Sequence, residues 1–254
     1  MFRIGLKLWS TNINYIPAAQ VLFAQGIFDY VELFVVPGSG NAIKDWRVLN
    51  VPYVLHAPHS YAGLNPADKA RRAENLGLVR QVAEFVDALR PSKVIFHPGI
   101  LYDLDEAIFQ LNAFKQAFPW MSEKALVENK PGLGLNGEVC LGASEEQMKR
   151  VLQETGLGFC FDVGHAICHA VLAQKPWEKV VEGFLMMQPA MFHLSDGPYS
   201  EKDKHLHLGE GQYDLASILE RMPSEAVVTL ETPKSFADSL DDFVKDAAML
   251  RAKA

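Results

Sequence analysis

Short runs rich in β-branched and aromatic residues alternate along this chain with longer stretches of helical period. The short runs fall at 3–9, 28–35, 52–56, 93–97, 124–128, 158–162, 190–194 and 226–231, and read as strands. Between them, apolar positions recur with helical spacing near 16–25, 43–48, 67–89, 104–118, 144–155, 165–186, 213–221 and 238–252, the second being the weakest. Ser144 and Gln147 have the spacing of a capping box, Pro66 and Pro176 suit first-turn positions, and Gly156 marks a helix exit. Strict strand and helix alternation implies parallel strands joined by right-handed crossovers, and eight such units close on themselves. The pattern therefore predicts an α/β fold, one (β/α)8 TIM barrel over residues 1–254, with no internal boundary. An open doubly wound sheet would call for G-x-G-x-x-G after the first strand, and none is there.

Composition agrees with one large packed core. The chain has 254 residues, 49% of them hydrophobic and 22% charged, and this excludes a disordered protein. Apolar runs such as Leu33 to Val36 are far shorter than the roughly 18 residues of a membrane span. The first residues lead straight into a strand pattern without a secretory signal, so a cytoplasmic location is expected. Cys140, Cys160 and Cys168 contain no C-x-x-C pair, which points to buried thiols rather than disulfides or a thiolate metal site. A formal charge of −7 argues against general polyanion binding unless the acids gather around bound cations.

In a (β/α)8 barrel the loops after the strands share one mouth, so strand ends are where chemistry is expected. Those ends read His56, His97, Glu128, Asp162, His193 and Glu231 from the third strand to the eighth. A lone histidine or aspartate at such a place is usually a satisfied polar group. Six in succession are different, because converging carboxylates repel unless protons or metal ions lie among them. The loops add His165, three residues beyond Asp162, and the pair Asp203 and His205. Nitrogen and oxygen ligands without sulfur suit zinc or manganese. His59 and His207 are candidates for substrate contacts, as is Asn129 beside Glu128, while His169 reads as structural.

The segments FHPG (96–99), ENKPGLGLNG (128–137), CFDVGHA (160–166), FHLSD (192–196), DKHLHLGEG (203–211) and LETP (230–233) carry a resemblance. As an ordered set with His56 they resemble the endonuclease IV and xylose-isomerase-like barrels, the AP endonuclease family 2 superfamily. The resemblance implies two kinds of site. Sugar isomerases and epimerases of this kind use one metal on a quartet that here corresponds to Glu128, Asp162, His193 and Glu231. The endonuclease IV branch holds three metals and adds positions corresponding to His56, His97, His165, Asp203 and His205. All nine have a counterpart, which implies two to three zinc ions, or manganese, and hydrolysis of abasic-site DNA.

Some segments depart from that branch. The first strand reads IGLKLWS rather than G-A-H-V-S, and PGSGNAIKDW after the second strand has no arginine-bearing DNA loop. His59 stands where endonuclease IV carries an aromatic wedge. An alternative alignment makes His59 the third-strand ligand, since it keeps the family's spacing to Asn65; His56 is preferred because it directly ends the strand. Three divalent ions, four carboxylates and a hydroxide leave about +1, suited to a phosphodiester, whereas one ion with three carboxylates leaves about −1, suited to a neutral sugar. The expected activity is thus endonuclease IV-like hydrolysis with Glu128 and Glu231 catalytic. Isomerisation or epimerisation of a sugar or sugar phosphate is the alternative, and a binding barrel without catalysis is the third.

Overall fold

The computed structural model describes residues 1–101 and 103–253. Eight parallel strands close into a barrel in sequence order: β1 (Arg3–Trp9), β2 (Tyr30–Phe34), β3 (Tyr53–His56), β4 (Lys93–Phe96), β5 (Ala125–Glu128), β6 (Gly158–Asp162), β7 (Met191–Leu194) and β8 (Val227–Leu230). The main helices between and after them are α1 (Ile16–Ala24), α2 (Ile43–Trp46), α3 (Arg72–Leu89), α4 (Leu104–Ala117), α5 (Met121–Lys124), α6 (Glu145–Thr155), α7 (Val163–Leu172), α8 (Trp177–Leu185), α9 (Leu215–Arg221) and α10 (Asp241–Lys253). No described helix is long and apolar enough to cross a membrane. All three cysteines are buried and free.

The two-residue period of a strand sorts each β element into an outer and an inner set. Outward residues such as Leu6, Leu33, Leu55, Phe96, Val127, Phe161 and Phe192 pack with the helices in the main core. Inward residues Tyr30, Val54, Ile95, Leu126, Cys160 and Met191 form a separate apolar cluster inside the barrel. Two residues further along come Glu32, His56, Glu128, Asp162 and His193 in the same strands and His97 just past the end of β4. One step of the pleat therefore lifts the chain from an apolar plug to a layer of polar groups at the mouth. Gly5 is the inward residue of β1 below that layer, and a Cβ there would overlap the ring of buried Tyr30.

Local signals set the helix ends. The Ser144 hydroxyl accepts from the Gln147 N–H, while Gln147 Oε1 accepts from the Gly142 and Ala143 N–H groups. Gly156 ends α6 in the left-handed region at φ 65°. The expected helix at 165–186 is two helices: Gln174 takes φ 53° and Pro176 opens α8, so the chain turns where continuous helix was expected. The expected helix at 67–89 starts only at Arg72. Asp68 caps a short 3-10 turn over Lys69–Arg71, which leaves Pro66 in the preceding loop. The short α5 was not foreseen.

Candidate metal centre

The mouth layer gathers nine of the sequence-derived residues. Their potential ligand atoms fall in overlapping groups: His56, His97 and Glu128; Glu128, Asp162 and His165; His165, Asp203 and His205; and His193 and Glu231 with Glu32. Glu128 is central. Its Oε2 lies 3.0 Å from His56 Nε2 and 2.9 Å from His97 Nε2, and its Oε1 lies 3.3 Å from His165 Nδ1. Asp203 Oδ2 lies 2.7 Å from His205 Nε2 and 3.4 Å from His165 Nε2. His193 Nδ1 lies 2.9 Å from Glu231 Oε1 and 3.5 Å from Glu128 Oε2.

Strand ends supply six of these side chains, and helix capping supplies the aim of another. Asp162 is both the last residue of β6 and the N-cap of α7, its Oδ1 accepting from the His165 N–H at 2.7 Å. That cap fixes His165 one turn into α7 and beside Glu128.

The ring orientations bear on whether metal fits. Nδ1 of His56 donates to the Ala57 carbonyl, Nδ1 of His165 to the Asn129 carbonyl and Nδ1 of His205 to the Glu231 carbonyl, at 2.7 to 2.8 Å. Nε2 of His193 donates to Glu32 Oε2 at 2.9 Å. A carbonyl or carboxylate oxygen only accepts, so each of these nitrogens carries the proton. In a neutral ring the other nitrogen is then a lone pair, and in all four it faces a carboxylate. Two acceptors at 2.7 to 3.4 Å need a cation between them, a second proton or a metal ion. His193 Nδ1 is buried and makes no hydrogen bond although Glu231 Oε1 lies 2.9 Å away, an arrangement that a divalent ion fits.

Burial works against the charged form of every group here, and the neighbours decide the balance. The surrounding acidic groups outweigh burial at His165 and His193 and hold both well above the usual histidine value. Asp203 brings His205 up to about 9. Burial takes His97 well below its usual value, and nearby Lys130 adds to the fall against the pull of Glu128. Among the carboxylates, burial would raise Glu128 and Glu231, but His97 and His193 pull the first well down, and His193 and Lys7 the second. Asp162 is raised by burial against the pull of His165. These directions favour protons held between His165, His193 and His205 and the carboxylates they face, and an ion binding there would displace them.

Above the cluster is a cavity of about 700 Å³ whose wall includes Trp9, Phe34, Tyr61, Lys130 and Lys234. Tyr61 Oη donates to Glu138 Oε2 at 2.7 Å and accepts from the Leu135 N–H at 2.6 Å, which ties the loop after β3 to the loop after β5. His59 borders the cavity, its ring 5.0 Å from that of Phe34, and burial with nearby His56 lowers it to about 4. The structure brings His56, not His59, to Glu128.

Two expected substrate contacts are held elsewhere. Asn129 is buried, giving its amide N–H to the Asp162 carbonyl and taking the Asp162 N–H, so it ties β5 to β6 rather than bordering the cavity. His207 Nδ1 donates to Asp246 Oδ2 at 2.8 Å and pins its loop to α10. Sequence reasoning missed Lys7 and Glu32, which ion-pair at 2.6 Å inside the barrel, Lys7 also pairing with Glu231. The available signal was a charge interrupting the apolar part of each strand at its inward phase, Lys7 in β1 beyond the exposed Arg3 and Glu32 in β2.

The likenesses of the chain run in two directions. A protein of Symbiobacterium thermophilum named probable endonuclease 4 is 29% identical over 198 residues, which span 71% of each chain. Two solved structures share the fold: a D-tagatose 3-epimerase-like protein (TM-score 0.76, 22% identity, 99% of this chain and 96% of that one) and endonuclease IV from Thermus thermophilus (TM-score 0.71, 19% identity, 99% and 98%). The family model described as xylose isomerase-like TIM barrel matches residues 26–253. With its closed eight-stranded barrel and the convergent histidines and carboxylates at its mouth, this chain belongs to the xylose isomerase-like TIM barrel family.

Proposed function

We propose that this chain is an endonuclease IV-like hydrolase that cleaves the phosphodiester backbone of DNA at abasic sites, using two to three zinc or manganese ions. One observation carries the reading: the ligand set extends beyond a single-ion quartet, with Glu128 shared between two groups and His165 shared between two. His56, His97 and Glu128 would hold one ion; Glu128, Asp162, His193 and Glu231 a second; His165, Asp203 and His205 a third. When bound, such ions supply Lewis acidity that activates water and neutralises the charge of a phosphodiester. The protein's own part is to hold that arrangement still. Glu128, fixed by His56 and His97, would be shared by two of the sites, and the ring orientations aim the nitrogens that would ligate inward. Lys130 and Lys234 at the cavity wall add positive charge where a phosphate would enter.

The test is nicking of a duplex containing one abasic site by chelator-stripped protein, before and after reloading with zinc or manganese. Cleavage that appears on reloading supports the reading, and its absence in fully loaded protein overturns it. A second reading, a sugar or sugar-phosphate isomerase or epimerase on the quartet Glu128, Asp162, His193 and Glu231, is favoured by the tie of Tyr61 to Glu138 beside a cavity of small-molecule size. There Glu128 and Glu231 serve as acid and base. Turnover of a ketose or ketose phosphate without nicking selects it. Loaded protein with neither activity selects a binding barrel.

A further inference from the structure

Among the four candidate ligand histidines with an assigned ring proton, His193 is held differently. The other three give their N–H to main-chain carbonyls, whereas His193 gives its Nε2–H to a buried carboxylate, Glu32. Glu32 is fully buried at the centre of β2, and its carboxylate is held by side chains alone. Its Oε2 accepts from His193 Nε2 at 2.9 Å and from Thr229 Oγ1 at 2.6 Å, and its Oε1 accepts from Lys7 Nζ at 2.6 Å. Thr229 Oγ1 is itself within 2.9 Å of the Tyr30 hydroxyl. Lys7 and Glu32 are directly opposite in the β1–β2 register, and His193 and Thr229 are opposite in β7–β8, so barrel closure brings four strands to one carboxylate.

We propose that Glu32, held in place by Lys7, is the positioning residue for His193. It takes the Nε2–H and so leaves Nδ1, which faces Glu231, as the lone pair that would ligate an ion held with Glu128, Asp162 and Glu231. The inference rests on the metal-centre reading and deepens it. An ionised carboxylate behind a ligating imidazole fixes the tautomer, restrains the ring and makes the ligating nitrogen more basic than a carbonyl does. A lone buried carboxylate is costly, and Lys7 offsets it with one positive charge inside the barrel. The same amine pairs with Glu231, so a single cation orients both the ligand carboxylate and the carboxylate behind the ligand histidine. Neither residue belongs to the nine-residue ligand set, and Lys7 lies in the IGLKLWS strand that departs from the G-A-H-V-S form.

The experiment is a competition titration of chelator-stripped protein with Zn²⁺ and Co²⁺ against a chromophoric chelator, with the visible Co²⁺ absorption recorded. Wild-type protein is compared with Glu32→Gln, which preserves shape and removes the charge. The double variant Glu32→Gln with Lys7→Met removes the amine together with the carboxylate it faces across β1 and β2, and guards against misfolding of the single variant. The expected result in both variants is one ion bound about 10- to 100-fold more weakly, with changed Co²⁺ bands, while the remaining ions keep their affinity. Folded variants that fill every site with wild-type affinity and spectrum overturn this inference and leave the metal centre standing. Wild-type protein that takes up no ion overturns both.

Discussion

Replacing Asp203 by asparagine separates the multi-ion reading from the single-ion one within one protein. Asp203 belongs only to the third group, where its Oδ2 lies 2.7 Å from His205 Nε2 and 3.4 Å from His165 Nε2. The amide keeps the shape and removes one negative charge. A unit charge pair at about 4 Å contributes about 4 kcal/mol at an effective dielectric of about 20. Allowing for the dipole that asparagine retains, about 3 kcal/mol of ion binding is lost, or roughly two orders of magnitude in affinity. Elemental analysis after dialysis should show about one ion fewer per chain than in the parent. Single-turnover nicking of abasic duplex should fall by about 100-fold, since one cation that neutralises the developing charge is gone. The thermal transition of the stripped protein serves as the folding control. Full metal content, or one ion fewer with near-parental turnover, would refute the assignment of this group to a catalytic ion.

Three further outcomes are expected. Elemental analysis of reloaded wild-type protein should saturate at two to three ions per chain, and saturation at one is incompatible with the multi-ion site. Metal uptake at the group of His165, Asp203 and His205 should release protons and tighten as pH rises toward about 9, where His205 gives up its own; uptake independent of pH between about 7 and 9, measured calorimetrically in buffers of different ionisation enthalpy, would contradict the proton-linked cluster. Gly5→Ala should lower stability by about 1–3 kcal/mol in thermal denaturation, because the added methyl meets the immobile Tyr30 ring, and an unchanged melting temperature would show that the plug can yield.

The order of elements and the polar strand ends were legible in the sequence because both depend on short-range periodicity. Parallel strands covered on both faces leave unbroken apolar runs, and residues such as His56, Glu128 and Glu231 stand where those runs stop. Helix ends were legible where a cap residue acts within its own turn, as at Ser144 and Gly156, and were missed between 165 and 186, where the apolar pattern continues across a break at Gln174. Tertiary structure alone decided which partner each polar group found. His56 rather than His59 reaches Glu128 because the pleat turns the last residue of β3 inward, while His59 is carried by the following loop onto Phe34. Asn129 adjoins Glu128 in sequence yet faces the main chain of β6. Lys7 and Glu32 lie 25 residues apart and each reads as an isolated charge in a strand. Only the closure of β1 onto β8, which sets Lys7 beside Glu231 and Glu32 behind His193, makes them part of the site. Such contacts depend on barrel register and on the fact that a buried charge must find a partner, and neither is written in local sequence.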